Sequence, residues 1–491
     1  MKLNELLAEF AQVDATIEIT GIATDSREVA TGYAFIALLG AEKYIAQAIQ
    51  SGATVIIFDA QVNLSSLKDL TGLDSVTCVE IPNLAEKIAD IAARYYDYPS
   101  QKLEIIGITG TNGKTSCSQF LAQLLPDSMV IGTLGWGTWG SVEMTGYTTP
   151  DVLTLQKILA KTVAAKKKMV VMEVSSHGVQ EKRIANTFFK GAVFTNLSRD
   201  HLDYHGTMEE YFQAKLGLFK RTELEFAVIN RDDEYGRRII AELAPSIALW
   251  TFSVNLPGFK NLEGLGVRDI QAKNIQCSIN GIEFEVSCGN ESTVINSRLY
   301  GEFNVENMLA VLTTLLALGF SLNEAAAKVS ALQSVPGRME YFGGDNQPVV
   351  FVDFAHTPDA LEKVLQSVKH HNPNTLTVVF GCGGNRDAGK RPLMGSIAEK
   401  LADKIIITDD NPRFEEGDVI VADILTGCAN KNLTVIRDRA LAIETAILQA
   451  KTGDCIVIAG KGHEDYQEIK GIKTSFSDQI IVKNILENRK K

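Results

Sequence analysis

The segment 103–115, LEIIGITGTNGKT, constrains the fold of this chain more than any other stretch. It begins as an apolar run short enough for a buried strand, turns at Gly110 and Gly113, and continues into a helical pattern of apolar residues. A strand, a glycine turn and a helix N-terminus form an anion site, because backbone N–H groups and the helix dipole face the same point. Lys114 adds a full positive charge, and the Thr115 hydroxyl suits Mg²⁺.

The loop differs from the standard pattern G-x-x-x-x-G-K-[ST], since position 108 is Ile instead of Gly. The shorter pattern G-x-x-G-K-T would also suit a plain turn. The strand before it and the helix after it favour nucleoside-triphosphate binding. The residues expected to contact the triphosphate are Gly110, Thr111, Asn112, Gly113, Lys114 and Thr115.

Length and composition narrow the class of protein. A chain of 491 residues suggests about three domains, and a net charge of −12 disfavours a broad nucleic-acid surface. The start of the chain lacks the apolar core of a signal peptide, and the apolar run 308–320 is too short for a membrane span, so a cytoplasmic location is expected. The seven cysteines form no C-x-x-C pair, which predicts buried, reduced thiols.

The chain divides into three predicted domains, 1–100, 101–335 and 336–491. In the second and third, apolar runs repeatedly end in polar residues, as at Glu173 and Asp353. Runs that are apolar throughout indicate parallel strands covered on both faces, and ligands of such α/β sheets bind beyond the carboxyl ends of the strands. Asn280-Gly281 predicts an antiparallel hairpin within the second domain.

Three further patterns were weighed on chemistry alone. Glu173 ends an apolar strand and, with Thr115 and His201, would suit Mg²⁺, although a capping Glu is the plainer alternative. Lys215 lies on a predicted amphipathic helix, 208–219, where a solvated lysine is the ordinary expectation. The segment 135–140, GWGTWG, matches G-x-G-x-x-G but lacks a following helix, so dinucleotide binding is rejected.

A charged group is predicted at the edge of the third domain. Arg386, Arg413 and Glu464 each follow an apolar run, and Pro412 favours an extended turn before Arg413. Arg386 and Glu464 would lie on neighbouring loops if the strands before them are adjacent. Two guanidinium groups and a carboxylate would bind a zwitterion, because Arg pairs with carboxylates and Glu accepts from ammonium groups. A charged surface loop is the alternative.

Eleven motifs in chain order resemble one family, the UDP-N-acetylmuramoyl-L-alanyl-D-glutamate:meso-diaminopimelate ligases of the Mur ligase group. They are TDSR, GTNGKT, TTP, MEVSSHG, FTNLSRDHLDYHGTMEEY, GEFNVEN, PGRME, DFAHTPDAL, GCGGNRDAGKRP, DNPR and GKGHEDYQ. The resemblance implies a three-domain α/β enzyme with a UDP-binding N-terminal domain, a central P-loop-type ATPase domain and a Rossmann-like C-terminal domain that binds the amino acid. It implies a monomer without membrane insertion, active in peptidoglycan precursor synthesis.

The resemblance also implies roles for individual residues. Lys114, Glu173, His201 and Lys215 would be catalytic, and Mg²⁺ would be held by Thr115, Glu173, His201 and Lys215, the last as a carbamate. Further ATP contacts would come from Asn307, Arg338 and Asp353. The UDP-sugar-peptide would bind Ser26, Thr148, Thr149, Ser175 and Arg183. Diaminopimelate would bind Arg386, Asp410, Asn411, Pro412, Arg413, Gly460 and Glu464.

Two departures from the family pattern stand out: Glu181 occupies the place of a substrate-binding Gln, and Phe354 replaces a common Tyr. The implied reaction activates the D-glutamate carboxylate as an acyl phosphate and then forms an amide with diaminopimelate. The alternatives are a lysine-adding or folylpolyglutamate-type ligase, a P-loop nucleotide switch, and a UDP-sugar-binding scaffold without ATP dependence.

Overall fold

The computed structural model describes residues 1–62, 72–256, 268–278, 281–344, 346–371, 374–429 and 433–489. These residues form two compact units. The first comprises Met1–Gly107 and Asp127–Lys190, and the second comprises Ile108–Pro126 and Gly191–Lys491.

Both units alternate strands and helices. The strands are β1 (Gly21–Ala23), β2 (Tyr33–Ala37), β3 (Val55–Asp59), β4 (Thr77–Ile81), β5 (Glu104–Thr109), β6 (Ser128–Gly132), β7 (Gly135–Thr138), β8 (Ser141–Glu143), β9 (Met169–Glu173), β10 (Gly191–Phe194), β11 (Phe226–Asn230), β12 (Ala248–Ser253), β13 (Arg268–Ser278), β14 (Gly281–Cys288), β15 (Glu291–Ser297), β16 (Glu340–Gly343), β17 (Val349–Asp353), β18 (Leu376–Phe380), β19 (Lys404–Ile407), β20 (Leu433–Val435), β21 (Cys455–Ala459), β22 (Tyr466–Ile469) and β23 (Ile472–Ser475). The α-helices are α1 (Leu3–Leu6), α2 (Ile45–Gln50), α3 (Leu84–Tyr95), α4 (Lys114–Leu124), α5 (Val152–Ala164), α6 (Ser176–Gln180), α7 (Leu202–His205), α8 (Met208–Leu216), α9 (Glu234–Glu242), α10 (Phe303–Ala317), α11 (Leu322–Ser330), α12 (Pro358–His371), α13 (Lys390–Leu401), α14 (Gly417–Leu425), α15 (Arg439–Gln449) and α16 (Asp478–Arg489).

The first unit contains a parallel sheet of order β1-β2-β3-β4. Alternate residues of β2 enter different cores: Ala34 and Ile36 pack in a cluster with residues of α3, and Phe35 and Ala37 pack in a second cluster. Both faces are therefore covered, as parallel pairing requires. Elsewhere in this unit, β9 pairs parallel with β6, and β6, β7 and β8 form an antiparallel meander.

The second unit contains a parallel run β10-β11-β12-β13, which β14 and β15 extend antiparallel. It also contains a six-stranded sheet of order β16-β17-β21-β18-β19-β20, parallel except for β16. In that sheet β21 lies between β17 and β18, so the loops after β17, β18, β19 and β21 emerge at one edge. The predicted α/β class with parallel sheets is confirmed.

Several local predictions are confirmed or corrected. The segment 135–140 forms the hairpin of β7 and β8, which agrees with rejecting a dinucleotide loop. Strand β1 begins at Gly21, and the segment just before it pairs with the N-terminus: Leu3 N donates to Ile17 O, and Ile19 N donates to Met1 O. Asn280 lies outside the described residues, while β13 and β14 on either side pair antiparallel as expected.

The prediction that the cysteines are free and buried is confirmed only in part. All seven cysteines are free thiols, as predicted, but Cys78 is exposed and Cys277, Cys288 and Cys428 are half-buried, so burial was wrong for these four. They lie on strands or a helix end that face solvent on one side.

Among the described helices, none combines the length and the apolar character that crossing a bilayer demands.

A buried ion pair joins the first turn of α15 to the first turn of α16. Arg439 Nε donates to Asp478 Oδ1 at 2.8 Å and Nη2 to Asp478 Oδ2 at 2.7 Å, and both side chains are fully buried. Arg439 Nη2 also donates to Ala459 O at 3.0 Å, at the end of β21. The pair thus fixes the point where β21 turns into the loop after it.

We expect Arg439→Met to lower the free energy of unfolding by about 3–5 kcal/mol, because Asp478 would remain buried without its cation. Chemical denaturation monitored by circular dichroism measures this. Arg439→Met combined with Asp478→Leu should lower the free energy of unfolding by less, because it leaves no buried charge without a partner. Arg27→Met, which removes an ion pair whose Arg side chain is 80% exposed, should change the midpoint little. An equally small effect of Arg439→Met would contradict the expectation.

Candidate active site

The glycine loop leads from β5 into α4 and is held from the segment after β10. Gly113 has a φ of +85°, which glycine adopts without strain, and α4 begins at the next residue. Thr195 Oγ1 donates to Asn112 O at 2.6 Å, and Asn112 N donates to Asn196 Oδ1 at 2.9 Å. A Cβ at Gly110 would lie 1.9 Å from Thr195 Oγ1, so this approach requires glycine.

Two lysines meet at the same backbone oxygen of this loop. Lys114 Nζ donates to Gly110 O at 2.8 Å and to Thr111 O at 2.9 Å. Lys215 Nζ donates to Gly110 O at 2.9 Å. The Lys114 ammonium group beside backbone amides and a helix N-terminus creates an electropositive point, the type of environment that binds phosphate groups.

The expectation of a solvated Lys215 was wrong. The residue is 1% exposed and forms the buried face of α8 together with Tyr211, Phe212 and Leu216. Burial lowers the pKa of Lys215 well below its ordinary value; the Lys114 charge adds to this, and the Asp200 charge opposes it. The nearby Tyr211 ring, 4.5 Å from Nζ, completes the enclosure. Lys215 therefore has a reason to lose its proton that an exposed lysine lacks.

The Asp200 charge acts on Lys215, and His201 is the charged neighbour of Asp200. The His201 Nε2 atom is 3.4 Å from Asp200 Oδ2, and the His201 side chain is 45% exposed. Burial pushes the pKa of Asp200 upward, but the charges of His201 and His356 outweigh burial and hold it below its ordinary value. His201 has a left-handed backbone conformation, with φ of +54°.

Of the other three predicted nucleotide residues, Asn307 and Arg338 contact the loop, and Asp353 accepts hydrogen bonds beside Arg338. A Cβ at Gly113 would lie 2.5 Å from Asn307 Oδ1, so Asn307 touches the loop directly. Arg338 Nη2 donates to Thr115 Oγ1 at 3.3 Å. Asp353 accepts from the N–H groups of Met339 and Ala355, both at 2.7 Å. Burial raises the pKa of Asp353, and the neighbouring Arg338 charge opposes that rise.

One residue beside the loop was missed. Asp359, in the first turn of α12, accepts from Asn112 Nδ2 at 3.0 Å and lies 3.5 Å from Ser198 Oγ. It is part of the DFAHTPDAL motif, but its own spacing gave no reason to single it out. Only the folded chain brings α12 to the glycine loop, because these residues are 247 positions apart.

In the first unit, two hydroxyl pairs include three of the five predicted sugar-peptide residues. Thr148 Oγ1 lies 3.0 Å from Thr133 Oγ1, and Thr149 Oγ1 lies 3.0 Å from Ser175 Oγ. Thr133 N and Oγ1 donate to the two oxygens of Glu173, which is fully buried, at 2.9 and 3.0 Å.

Arg183 and Ser26 complete the predicted set in this unit. Arg183 Nη1 donates to Thr149 O at 2.8 Å, and its guanidinium lies 5.0 Å from the Tyr147 ring centroid. Glu181 Oε2 accepts from Arg183 Nε and Nη2 at 2.9 and 2.6 Å, so the residue that replaces the family's Gln holds this arginine. Ser26 is buried in the short turn Ser26–Glu28, where its hydroxyl donates to Gln47 Oε1 at 2.9 Å.

The predicted amino-acid residues gather at the edge where β18, β19 and β21 end. Asn411 Nδ2 donates to Glu464 Oε2 at 2.8 Å. Arg413 Nη1 donates to Gly384 O at 2.9 Å. A Cβ at Gly383 would lie 2.8 Å from Arg413 Nη1 and 3.7 Å from Arg386 Cγ, so both arginines flank the same glycine.

Asp410, Pro412 and Gly460 shape the same edge through close backbone approach. A Cβ at Gly460, whose φ is +118°, would lie 2.6 Å from Asp410 Oδ2. Pro412 O would lie 1.9 Å from a Cβ at Gly384. The adjacent strands supposed from the sequence are confirmed, and with them the convergence of these loops.

The donor chemistry of the predicted magnesium residues fits that ion in part. The Thr115 hydroxyl and the Glu173 carboxylate offer the oxygen ligands that Mg²⁺ prefers. Lys215 fits only as a carbamate, because an ammonium group has no lone pair, and the His201 imidazole is a less usual partner for Mg²⁺. In the described part of the chain, no group of three or more His, Cys, Asp or Glu residues is arranged to hold a metal.

Comparison with known proteins supplies the family. The description "Mur ligase middle domain" matches residues 108–315, and "Mur ligase, glutamate ligase domain" matches residues 337–462. A UDP-N-acetylmuramoyl-L-alanyl-D-glutamate–2,6-diaminopimelate ligase of Xanthomonas campestris pv. campestris (strain 8004) is 43% identical over 99% of this chain and 97% of its own length. The chain belongs to this family of Mur ligases.

Solved Mur ligases share the fold. A structure of a UDP-N-acetylmuramoyl-L-alanyl-D-glutamate–2,6-diaminopimelate ligase has a TM-score of 0.69 and 34% identity, covering 100% of this chain and 99% of that one. A MurF ligase from Thermotoga maritima in complex with ADP has a TM-score of 0.65 at 18% identity, covering 97% and 100%, and shows likeness of fold alone. The predicted family and three-domain Mur ligase architecture are thereby confirmed, and the protein is a ligase.

Proposed function

We propose that this Mur ligase joins meso-diaminopimelate to UDP-N-acetylmuramoyl-L-alanyl-D-glutamate and cleaves ATP to ADP and phosphate. The observation that carries the proposal is the Lys114 ammonium group held on Gly110 O and Thr111 O at the start of α4, beside the buried amine of Lys215 on the same Gly110 oxygen. Identity of 43% over nearly the full length supports the named substrates.

The reaction balances in two steps. In the first, an oxygen of the D-glutamate γ-carboxylate attacks the γ-phosphorus of ATP, which forms an acyl phosphate and releases ADP. In the second, the neutral amine of diaminopimelate attacks the acyl carbon, the C–O bond to phosphate breaks, and inorganic phosphate and a proton leave. Both reactants of the first step are anions, so electrostatic screening is the main requirement on the protein.

The glycine loop, Lys114 and Thr115 would bind the ATP phosphates, with Asn307, Arg338 and Asp353 around the rest of the nucleotide. Bound Mg²⁺ would neutralise phosphate charge, held by Thr115 and by Lys215 as a carbamate, with His201 nearby. Glu173 belongs to the first unit, and its part in holding Mg²⁺ is carried by the family resemblance. The direct contacts of Asn307 and Arg338 with the loop support this assignment.

The other two substrates are assigned to different parts of the chain. In the first unit, Ser26, Thr148, Thr149, Ser175 and Arg183 would bind the UDP-sugar-peptide, a role that the hydroxyl network there supports. In the second unit, Arg386, Arg413, Asn411 and Glu464 would bind diaminopimelate, with Asp410, Pro412 and Gly460 shaping the pocket. A cytoplasmic location and a monomeric state stay predictions.

An omission assay tests the proposed function. ADP release is measured with all three substrates and with each omitted in turn. We expect release to need ATP and the UDP-dipeptide, and sustained turnover to need diaminopimelate as well. Release without either co-substrate would instead indicate a nucleotide switch, and a protein that binds the UDP-dipeptide without any ATP turnover would be a scaffold.

Lys215 is expected to carry CO2. The reaction R–NH2 + CO2 → R–NH–COO⁻ + H⁺ uses the neutral amine, which burial favours at lower pH than in free lysine, because it lowers the pKa of Lys215. Protein prepared without CO2 should lose ligase activity and regain it with bicarbonate, more readily at higher pH.

The carbamate has its own spectroscopic test. ¹³C NMR with labelled bicarbonate should give a carbamate signal in the wild type that Lys215→Arg lacks. Lys220→Arg, which changes an exposed lysine 3.2 Å from Glu242, should keep the signal. Full activity without CO2 and no carbamate signal would contradict this assignment.

A further inference from the structure

A fully buried lysine, Lys461, lies between two side chains assigned to the amino-acid substrate. Its Nζ atom donates to Glu464 Oε2 at 2.8 Å and to Asn411 Oδ1 at 3.0 Å, and its side chain is 0% exposed. The Asn411 amide closes the triangle, since Asn411 Nδ2 donates to the same Glu464 oxygen at 2.8 Å. Side chains from two loops are thus joined around one ammonium group.

The Lys461 ammonium group is bound by side chains of this protein. A buried cation is costly unless it is paired and hydrogen-bonded, and here a carboxylate and an amide oxygen supply both. The Tyr466 ring adds a third neighbour, with its centroid 5.4 Å from Nζ, within cation–π range. Lys461 therefore acts through its partners and not on a ligand.

The partners are held in defined orientations as a result. Glu464 Oε2 accepts two hydrogen bonds, which leaves Oε1 as the oxygen with more capacity to accept from a substrate ammonium. Asn411 Oδ1 accepts from Lys461 Nζ and from Glu468 N at 3.0 Å, which directs its NH2 group toward Glu464.

The same network reaches the guanidinium on the other side of the pocket. Arg413 N donates to Glu468 O at 3.0 Å, and Arg413 Nε lies 3.6 Å from Glu468 Oε2. The carboxylate that would accept an ammonium group and the guanidinium that would bind a carboxylate are therefore linked through Asn411 and Glu468. A fixed separation between them selects ligands by the spacing of their charges.

We infer that Lys461 is a positioning residue that sets the specificity of this pocket for a zwitterionic amino acid, by holding Glu464 and Asn411 in register with Arg413. The inference rests on the proposed function, because that assigns the pocket to diaminopimelate. The residue lies inside the GKGHEDYQ motif, yet its role follows only from the contacts of its side chain.

Lys461→Met replaces the unbranched methylene stem of lysine with one of equal length and removes the ammonium group at its end. We expect it to raise KM for meso-diaminopimelate about tenfold to a hundredfold, the size of one or two charge-assisted hydrogen bonds. The KM values for ATP and the UDP-dipeptide should be unchanged. Calorimetric titration of meso-diaminopimelate into the full-length protein should show the same weakening of Kd.

The matched control is Lys473→Met. Lys473 Nζ lies 4.2 Å from the centroid of the same Tyr466 ring, but its side chain is exposed on β23. This variant should bind diaminopimelate as the wild type does. A loss in Lys473→Met equal to that in Lys461→Met would overturn the inference.

A second variant separates positioning from stability. Lys461→Met combined with Glu464→Gln strands no charge, so its thermal midpoint should recover toward the wild type. Because this double variant also lacks the carboxylate assigned to the substrate ammonium, it tests stability only, and binding is compared between Lys461→Met and the wild type. An unchanged Kd in Lys461→Met, or an equal rise in the KM of all three substrates, would overturn the inference. Normal binding of diaminopimelate by the wild type without ligation would instead count against the proposed function alone.

Discussion

Lys114→Ala is expected to lower ligase turnover by about a thousandfold or more, because it removes a preorganised cation from the point where phosphate charge develops. Lys114 Nζ lies 2.8 Å from Gly110 O and 2.9 Å from Thr111 O, so the loop already holds the ammonium group in place before ATP binds. ADP release with all three substrates present measures the effect.

Two controls accompany this variant. Lys114→Arg retains the charge but changes its shape, so we expect an intermediate loss. Lys220→Ala removes an exposed lysine 3.2 Å from Glu242 and should leave turnover unchanged. Near wild-type phosphate release from Lys114→Ala, with its thermal midpoint intact, would refute the role given to Lys114.

The second large effect concerns the choice of amino acid. L-Lysine lacks the distal carboxylate of diaminopimelate, so its binding would leave the Arg413 guanidinium without that partner. The Arg413 side chain is only 19% exposed, so the charge-assisted contact that lysine cannot make is poorly replaced by water. We expect kcat/KM for lysine to be lower than for meso-diaminopimelate by about a thousandfold or more.

Arg413→Ala should lose most of the activity on diaminopimelate and narrow the ratio of the two kcat/KM values, since neither amino acid would then meet the Arg413 guanidinium. Competition of the two amino acids in one ligation mixture, read by mass spectrometry, gives the ratio directly. Arg298→Ala, which removes an exposed arginine elsewhere in the second unit, should keep the wild-type preference. Comparable wild-type turnover on lysine and diaminopimelate would defeat the assignment of Arg413.

Features built from neighbouring residues could be predicted from the sequence, and features that depend on strand pairing could be predicted only conditionally. The glycine loop was predictable because strand, turn and helix are neighbours in the chain, and their patterns are local. The convergence of the loops after β18, β19 and β21 was expected only if those strands were adjacent, which the pairing of β21 with β18 confirms.

Lys215 and Glu181 show where residue patterns fail. A lysine beside Leu216 on an amphipathic helix has the pattern of a surface residue, and its burial depends on Gly110 O, which is 105 positions away. Glu181 departs from the family pattern in the sequence, but its two hydrogen bonds with Arg183 could be found only from the positions of the side chains. In both cases the sequence singled out the residue, and the hydrogen bonds of its side chain in the folded protein showed what it contacts.

Local order along the chain was sufficient to establish the α/β class, the phosphate-binding loop and the family, because short-range periodicity and contiguous motifs encode them. The burial of Lys215, the contact of Asp359 with Asn112 and the triangle of Lys461, Asn411 and Glu464 arise from folding. Each joins residues from separate segments, and the cost of burying charge, which shapes the contacts of Lys215 and Lys461, exists only once those segments have packed together.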